Sequence, residues 1–308
     1  MTELRSDLVL RDGRAYHIGV TPHELAPRII MVGDPARALR VASRFNRVEH
    51  EVRHREYVTV TGTIGGQRLS VIGTGIGTDN VEIALVEAVS LLTCDLATGA
   101  RRVDAQPVSV IRVGTSGGLR DDVESGTLCV SAYAIGLDST GLYYDVEAAD
   151  DTVTALEEAS RLAVDACIPP GRRFAGWLRP YAARADPALT AALTHAADRS
   201  GHVTIRGVTV AAPGFYGPSG RRLDGVVNTA PDIKHALGQI EVDGLAVVNM
   251  EMESSLLFHL AQALGIAAAT ICPVISAPSG HSKVVDYRPY VEASIDIALE
   301  ALLRPGLR

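Results

Sequence analysis

The stretch Val108–Leu119, which reads Val-Ser-Val-Ile-Arg-Val-Gly-Thr-Ser-Gly-Gly-Leu, decides how the rest of this chain is interpreted. A short apolar run breaks there into a glycine-rich turn that carries two hydroxyls. The pattern predicts a buried strand that ends in an anion cradle, with Gly114, Gly117 and Gly118 at positive φ turning backbone N–H groups toward one point. An oxyanion fits such a cradle, and phosphate is the commonest candidate.

An arginine inside the apolar run favours this interpretation. Arg112 is expected to be buried, and a buried guanidinium needs an anionic partner. Thr115 and Ser116 add hydrogen-bond donors beside it. The alternative for these letters is a plain glycine-rich connection after a core strand.

Composition sets limits on size, partners and compartment. The 308 residues contain no Pro/Gly/Ser-rich linker or charged run that marks a boundary, so we expect one domain over residues 1–308. Hydrophobic residues make up 47%, enough for a large core, and the net charge of -7 argues against nucleic acid or an anionic membrane as the main partner.

The cysteines and the hydropathy pattern indicate where the protein works. Cys94, Cys129, Cys167 and Cys272 are far apart and form no Cys-x-x-Cys pair, which is typical of a reducing compartment. The N-terminus is charged and lacks a signal segment, and the most apolar stretch, near 266–275, is too short to span a bilayer. We therefore expect a soluble cytoplasmic protein.

A second anion signal lies early in the chain. The apolar run Ile29–Val32 is followed by Gly33 and Asp34 and then by helical spacing over Ala36–Arg44, which predicts strand, turn and helix with Asp34 as N-cap. Arg37 in the first helical turn opposes the helix macrodipole unless an anion binds there.

Alternating strands and helices continue to the end of the chain. Strands are predicted over 54–63, 69–72, 127–134, 203–212, 246–250 and 267–275, and helices over 80–92, 253–264 and 290–303. Residues 1–27 read as an N-terminal arm, and about 148–180 as an extra segment of helical tendency. This order predicts an α/β fold, a three-layer α/β/α sandwich around a mixed central sheet.

Four motifs in chain order carry a family resemblance. They are Gly33-Asp-Pro-Ala-Arg37, His54-Arg-Glu56, Arg112-Val-Gly-Thr-Ser-Gly117 and Asn249-Met-Glu-Met-Glu-Ser254. Together they resemble the nucleoside phosphorylase family, and within it the uridine phosphorylases, from about His17 to Leu303 outside the extra segment. The resemblance implies a pentosyltransferase of that fold that cleaves a pyrimidine nucleoside, uridine or a close analogue, with inorganic phosphate to give free base and ribose 1-phosphate. It implies no cofactor.

The resemblance also implies a role for particular residues. The phosphate site would consist of Gly33, Arg37, Arg55, Arg112 and Thr115, with Arg55 coming from a neighbouring subunit. The ribose site would consist of His17, Glu251, Met252 and Glu253, with His17 from the adjacent subunit. The catalytic roles would fall to Glu253, Arg112 and Arg221. Taken alone, the two glutamates also read as a helix start and the histidine as a solvated side chain.

The base site departs from the family pattern. The resemblance places Ser116, Phe215, Ser219 and Arg221 there, but Ser219 stands where the family has glutamine. Ser276-Ala277 also replaces the usual Asn-Arg after the last central strand, so base recognition is expected to be looser, water-mediated or different in target. Purine members place an aspartate after that strand, which Ser276 cannot replace, so a pyrimidine is favoured.

Other functions stay open on the sequence alone. They are a nucleosidase or a purine-acting member of the same family, a non-catalytic nucleoside-binding protein, and a serine hydrolase, since residues 114–118 satisfy Gly-x-Ser-x-Gly. A nucleophile elbow must lead directly into a helix, whereas here Leu-Arg-Asp-Asp follows.

The expected partners are small molecules and further copies of the chain. Nucleoside and phosphate are the predicted ligands, and His50 and His54 lack a third ligand nearby, so no metal is expected. If Arg55 and His17 act across an interface, a dimer is the minimum assembly, and the resemblance is compatible with a hexamer.

Overall fold

The computed structural model describes residues 5–277 and 286–304. Its strands are β1 (Leu10–Arg11), β2 (Arg14–Ala15), β3 (Arg28–Val32), β4 (Arg47–His54), β5 (Tyr57–Ile64), β6 (Gln67–Gly73), β7 (Ser109–Val113), β8 (Ser116–Gly118), β9 (Leu128–Gly136), β10 (Tyr181–Arg184), β11 (Thr204–Ala211), β12 (Glu241–Val242), β13 (Leu245–Glu251) and β14 (Ala267–Ser276). Its α-helices are α1 (Pro35–Ala42), α2 (Thr78–Thr93), α3 (Asp151–Ala166), α4 (Pro187–Asp198), α5 (Ile233–Gly238), α6 (Ser254–Leu264) and α7 (Arg288–Leu302).

The main sheet is mixed, as predicted. Its strands follow the order β10-β9-β11-β13-β8-β14-β7-β3-β6-β5-β4, with β9 also pairing with β14. The strands β14, β7, β3 and β6 run parallel, and so do β9, β11 and β13, whereas β8 is antiparallel to β13. The carboxyl ends of β3 and β7 therefore meet at one edge of the sheet.

Helices cover both faces of the sheet. Ile30 and Val32 of β3 pack with α1, α4 and α7, while Ile29 and Met31 pack with α2 and α6 on the opposite face. Successive strand residues point to opposite faces, so an apolar run of this kind needs cover on both sides. A further apolar cluster joins α3 and α5 to β11 and β13. The predicted three-layer sandwich is confirmed.

The predicted strand, turn and helix at the start of the sheet are also confirmed. Asp34 caps α1 by accepting a hydrogen bond from the N–H of Ala36 at 2.8 Å, and Pro35 occupies the first helical turn. This cap fixes the direction in which α1 leaves β3, and with it the position of Arg37.

Two local predictions were wrong. The strand expected from His54 onward is interrupted, because Arg55 adopts φ 52° in the turn between β4 and β5. Gly114, Gly117 and Gly118 are absent from the positive-φ residues of the described chain, and the last two lie in β8. Space rather than backbone freedom requires Gly114, since a Cβ there would overlap Nη1 of Arg112.

The extra segment contains a helix, as expected, and is followed by a strand that was not expected. The helix α3 occupies 151–166, and β10 follows the segment and pairs antiparallel with β9. Residues 1–4 of the predicted arm lie outside the described residues. Over 5–277 and 286–304, we find no helix with the length and apolarity needed to cross a membrane.

Candidate active site

A buried arginine with two buried carboxylates forms the centre of the candidate site. Nη1 of Arg112, in β7, lies 2.9 Å from a carboxylate oxygen of Glu251, and Nη2 pairs with Glu253. The side chains of these three residues are 6%, 1% and 4% exposed, respectively. We call this group the arginine–carboxylate cluster.

Backbone groups at two helix starts hold the carboxylates in place. Glu251 ends β13 and accepts hydrogen bonds from the N–H groups of Glu253 and Ser254 at 3.1 and 2.9 Å. Glu253 occupies the N-cap position of α6 and accepts a hydrogen bond from the N–H of Gly77 at 2.8 Å, just before α2. Both acids are thus fixed where helix dipoles favour negative charge.

Burial and charge shift the pKa values of the cluster in opposite directions. Burial alone would lower the pKa of Arg112, but the carboxylates of Glu253 and Glu251 raise it above its ordinary value. Burial raises the pKa of Glu251 to about 7; Arg112 opposes this rise and repulsion from Glu253 adds to it. The cluster therefore keeps its cation and can take up a proton on an acid near neutral pH.

A second buried arginine lies beside the cluster. Burial lowers the pKa of Arg37, and the positive charge of Arg112 lowers it further. The Nη1 atom of Arg37 donates to the carbonyl of Val113 at 3.0 Å, and its Nε atom has no hydrogen-bond partner among the described residues. Two guanidiniums close together, one with a free buried donor, provide the charge and hydrogen bonds that an oxyanion needs.

Three further predicted residues lie in the same strand ends. Gly33 joins β3 to α1, and a Cβ there would come within 3.2 Å of the carbonyl oxygen of Gly75. Thr115 is half-buried between β7 and β8, and Met252 is half-buried between the two glutamates. The structure thus brings these predicted phosphate and ribose residues to neighbouring strand ends. The two remaining ones, Arg55 and His17, lie elsewhere.

Arg55 and His17 lie near each other, apart from the cluster. The guanidinium of Arg55 is 4.8 Å from the ring centroid of Tyr16, whose ring contacts that of His17. Nδ1 of His17 lies 2.7 Å from a carboxylate oxygen of Glu87, which also accepts the N–H groups of His17 and Ile18. Within the described parts of the chain, neither residue has a hydrogen bond or ion pair with the cluster.

Three of the four predicted base residues lie in residues 213–221, which we call the base segment, whereas Ser116 lies in β8. Phe215 is 56% exposed, and the guanidinium of Arg221 stacks on its ring at 4.2 Å. Ser219 is buried, and its hydroxyl hydrogen-bonds to the carbonyls of Phe215 and Tyr216. The serine that replaces the family glutamine therefore binds its own backbone.

Several participating residues were missed by the sequence analysis. Cys272 accepts a hydrogen bond from Nη1 of Arg112 at 3.2 Å, and Glu87 binds the N-terminal segment around His17. Asn249 was quoted only as part of a motif, yet it donates to the hydroxyl of Ser116 at 2.9 Å. An amide in an otherwise apolar strand is a signal that could have pointed to it.

Ser116 does not occupy a nucleophile elbow. It opens the short strand β8, whereas an elbow requires a strand that turns directly into a helix. Its hydroxyl lies between the amide of Asn249 and the carbonyl of Pro273. The structure at Ser116 therefore lacks the strand–turn–helix arrangement on which the serine hydrolase alternative depends.

Comparison with known proteins agrees with this arrangement. The sequence profile of the phosphorylase superfamily matches residues 27–303. Uridine phosphorylase of Thermococcus kodakarensis is 29% identical over 268 residues, which cover 86% of this chain and 78% of that protein. Uridine phosphorylase of Escherichia coli is 27% identical over 263 residues, which cover 84% and 85%.

A solved structure supports the same relationship. The crystal structure of a Trypanosoma brucei nucleoside phosphorylase, which shows uridine phosphorylase activity, matches with a TM-score of 0.85 at 30% identity, and covers 96% of this chain and 98% of that one. The resemblance carried by the four motifs is confirmed, and with it the expectation of a pentosyltransferase. The chain belongs to the phosphorylase superfamily.

Proposed function

We propose that this protein cleaves a pyrimidine nucleoside, uridine or a close analogue, by phosphorolysis. The observation that carries the proposal is the buried pair Arg37 and Arg112, next to the carboxylates of Glu251 and Glu253. Arginines that lie side by side in a buried place are stabilised by an anion between them. Relatives of similar length named uridine phosphorylase support the choice of nucleoside.

Inorganic phosphate is the proposed co-substrate, and no other cofactor is needed. Its oxygens would bind the guanidiniums of Arg37 and Arg112, the hydroxyl of Thr115 and backbone at Gly33. The unpaired Nε of Arg37 supplies a donor that phosphate would satisfy. Arg55 would complete this shell from a neighbouring subunit.

The sugar would lie against the two acids. Glu251 and Glu253 would accept hydrogen bonds from the ribose hydroxyls, with the thioether of Met252 against the ring. His17 of an adjacent subunit would reach the 5′ hydroxyl. The contact with Glu87 supports this role, because it holds one ring nitrogen of His17 and leaves the other for a ligand.

The base would lie near Ser116, Phe215, Ser219 and Arg221. The exposed ring of Phe215 provides a surface for a planar base, and Arg221 provides a positive charge beside it. Because Ser219 binds its own backbone, base recognition would rest on fewer direct hydrogen bonds than in the family pattern.

The reaction needs no protein nucleophile. A phosphate oxygen forms a bond to C1′ while the bond from C1′ to the base nitrogen breaks, and the base leaves with the bonding electrons and then takes a proton. The sugar becomes positively charged on the way, so the phosphate and Glu253 with Glu251 bind it more strongly in the transition state. Arg112 holds phosphate and acids in contact, and Arg221 faces the negative charge that develops on the base.

Arg55 and His17 make the assembly part of the proposal. Both lie away from the cluster of their own chain, so the complete site would form between two subunits. A homodimer is the minimum, and a hexamer would be built from such dimers. The cytoplasm is the proposed compartment, since the four cysteines are unpaired.

The test is a panel of pyrimidine and purine nucleosides, read by base release with and without phosphate. Phosphate-dependent release of uracil from uridine is the expected result. Equal rates without phosphate would identify a nucleosidase instead, and preferred release of purines would identify a purine-acting enzyme. Tight binding of uridine without turnover in saturating phosphate would identify a binding protein.

A further inference from the structure

Four polar side chains form a continuous line of hydrogen bonds across the interior of the sheet. Ser131 Oγ lies 2.6 Å from Thr209 Oγ1, Thr209 Oγ1 lies 2.7 Å from Asn249 Oδ1, and Asn249 Nδ2 lies 2.9 Å from Ser116 Oγ. The residues belong to β9, β11, β13 and β8, which are consecutive in the sheet. Three of them are 0% exposed and Ser116 is 4% exposed. We call them the polar chain.

With the amide of Asn249 oriented as it is in the structure, the protons of the polar chain point in one direction. Thr209 donates its single hydroxyl proton to Asn249 Oδ1, so its oxygen must accept from Ser131. Asn249 uses its amide N–H to donate to Ser116. The oxygen of Ser116 is therefore an acceptor within the chain, and its own proton is left to donate elsewhere.

Among residues 5–277 and 286–304, the acceptor that the structure gives for the Ser116 proton is a weak one. The carbonyl oxygen of Pro273 is 3.4 Å away, longer than the 2.5 to 3.0 Å that is about the normal range for such a bond. Ser116 also opens β8 directly after Thr115, which the proposed function places at the phosphate. A ligand acceptor placed there would bind a donor that is already aligned.

Backbone irregularities favour this alignment over a chance contact. The pairing of β11 shifts between Gly207 and Val208 against β9, and between Val208 and Thr209 against β13. Both shifts immediately precede Thr209, which joins Ser131 to Asn249. Buried hydroxyl and amide groups destabilise a core unless they are paired, and a connected line of such pairs fixes the orientation of each member.

We propose that Ser131, Thr209 and Asn249 are positioning residues, which orient the hydroxyl of Ser116 as a hydrogen-bond donor to an acceptor on the base of the bound nucleoside. The inference rests on the proposed function, because it takes Ser116 to contact the base. It adds that the specificity of this contact depends on residues in the middle of the sheet.

The first test compares two valine substitutions in the full-length protein. Thr209→Val keeps the shape but removes the donor to Asn249, and is expected to lower kcat/KM for uridine about tenfold with the KM for phosphate unchanged. Thr59→Val is the matched control, since Thr59 is buried in β5 and its hydroxyl has no hydrogen-bond partner in the described structure. Equal kinetic constants for the two variants would overturn the inference.

The second test separates positioning from stability with a double-mutant cycle. In a Ser116→Ala background, Thr209→Val is expected to have no further effect on uridine kinetics, although it lowers the Tm in both backgrounds. Equal losses of kcat/KM in both backgrounds would assign the polar chain a structural role only and overturn the proposal.

A binding measurement tests the inference without relying on the reaction. Calorimetry measures the Kd of uracil for the four proteins of the same cycle, and the effects of Thr209→Val and Ser116→Ala on this Kd are again expected to be coupled. If the wild-type protein binds uracil with this coupling but releases no base with phosphate, only the proposed function fails. If base release requires phosphate but the coupling is absent, or if uracil does not bind, the inference fails.

Discussion

The arginine–carboxylate cluster and the base segment differ in how their charged groups are held. In the cluster, Arg112 is paired with two acids that are themselves fixed by backbone N–H groups, and all are buried. In the base segment, Arg221 is exposed and stacks on the exposed Phe215. The charges of the cluster are held by one another and by backbone N–H groups, whereas Arg221 is open to solvent and is held by the ring and the carbonyl of Phe215.

This difference separates chemistry from selection of substrate. Groups that stabilise a transition state must be in place before the substrate binds, and a buried, fully paired cluster satisfies that requirement. Groups that select a base can adjust on binding, and the inward hydroxyl of Ser219 removes one fixed contact. Stability and activity should therefore be linked in the cluster and separate in the base segment.

The largest effect is expected for Arg112→Gln. It leaves Glu251 and Glu253 buried without a counter-charge, so the free energy of unfolding should fall by about 3 to 5 kcal/mol and kcat/KM for uridine by at least about 100-fold. Urea unfolding and steady-state phosphorolysis measure both quantities.

Arg53→Gln is the matched control for Arg112→Gln. Arg53 pairs with Glu51 on the surface, where an ion pair contributes about 0 to 1 kcal/mol. The double variant Arg112→Gln with Glu251→Gln should recover part of the lost stability, because it removes one of the unpaired charges. Similar losses for Arg112→Gln and Arg53→Gln would contradict the distinction between the two regions.

The second-largest effect is expected in how the free energy of unfolding depends on pH, because of Glu251. Burial raises its pKa to about 7 in the folded protein, from an ordinary value of 4.5. A carboxyl whose pKa is raised on folding contributes stability that is fully present below its unfolded pKa and is lost as the pH rises through its folded pKa.

The free energy of unfolding of the wild type, relative to Glu251→Gln, should therefore fall on the order of 1 to 3 kcal/mol between about pH 5 and pH 8. Urea unfolding at several pH values measures the difference. The prediction fails if the free energy of unfolding of the two proteins changes with pH in parallel, or if the wild type gains stability relative to Glu251→Gln as the pH rises. Either result would show that folding does not raise the pKa of Glu251.

The smallest effect is expected for Arg221→Ala in the base segment. Its exposed guanidinium stacks on Phe215 at 4.2 Å and faces the departing base, and because solvent screens an exposed charge, loss of the guanidinium should lower kcat/KM for uridine about tenfold. Because the side chain is exposed, Tm should not change. The neighbouring Arg222→Ala serves as control, and a large loss of Tm specific to Arg221→Ala would place the base segment with the rigid cluster instead.

Much of the sheet and part of the cluster could be predicted from local sequence. Apolar runs and turn residues were enough to predict β3, β7, β13 and the helices that follow two of them. Arg37 and Arg112 come together because β3 and β7 are parallel neighbours, so that two strand ends meet at one edge. An arginine in an apolar strand signals its own need for a partner.

What could not be predicted depends on contacts between distant strands. The pairing of Thr209 with Asn249 follows from the order of strands in the sheet, which no local pattern encodes. The positions of Arg55 and His17 likewise depend on distant elements, since Arg55 lies in the turn between β4 and β5 and His17 is bound by Glu87 of α2. Gly114 was predicted for the wrong reason, because its close contact is with a side chain and not with a turn.

That close contact limits how the centre of the protein can change. A Cβ at position 114 would overlap Nη1 of Arg112 and would lie 2.7 Å from the sulfur of Cys272, so alanine is already too large. Substitutions of Gly114 by residues of increasing size should then all lose activity, rather than lose it in steps that follow the size of the side chain. A larger residue at position 114 therefore requires a prior change in Arg112, which is paired with both acids, as well as in Cys272.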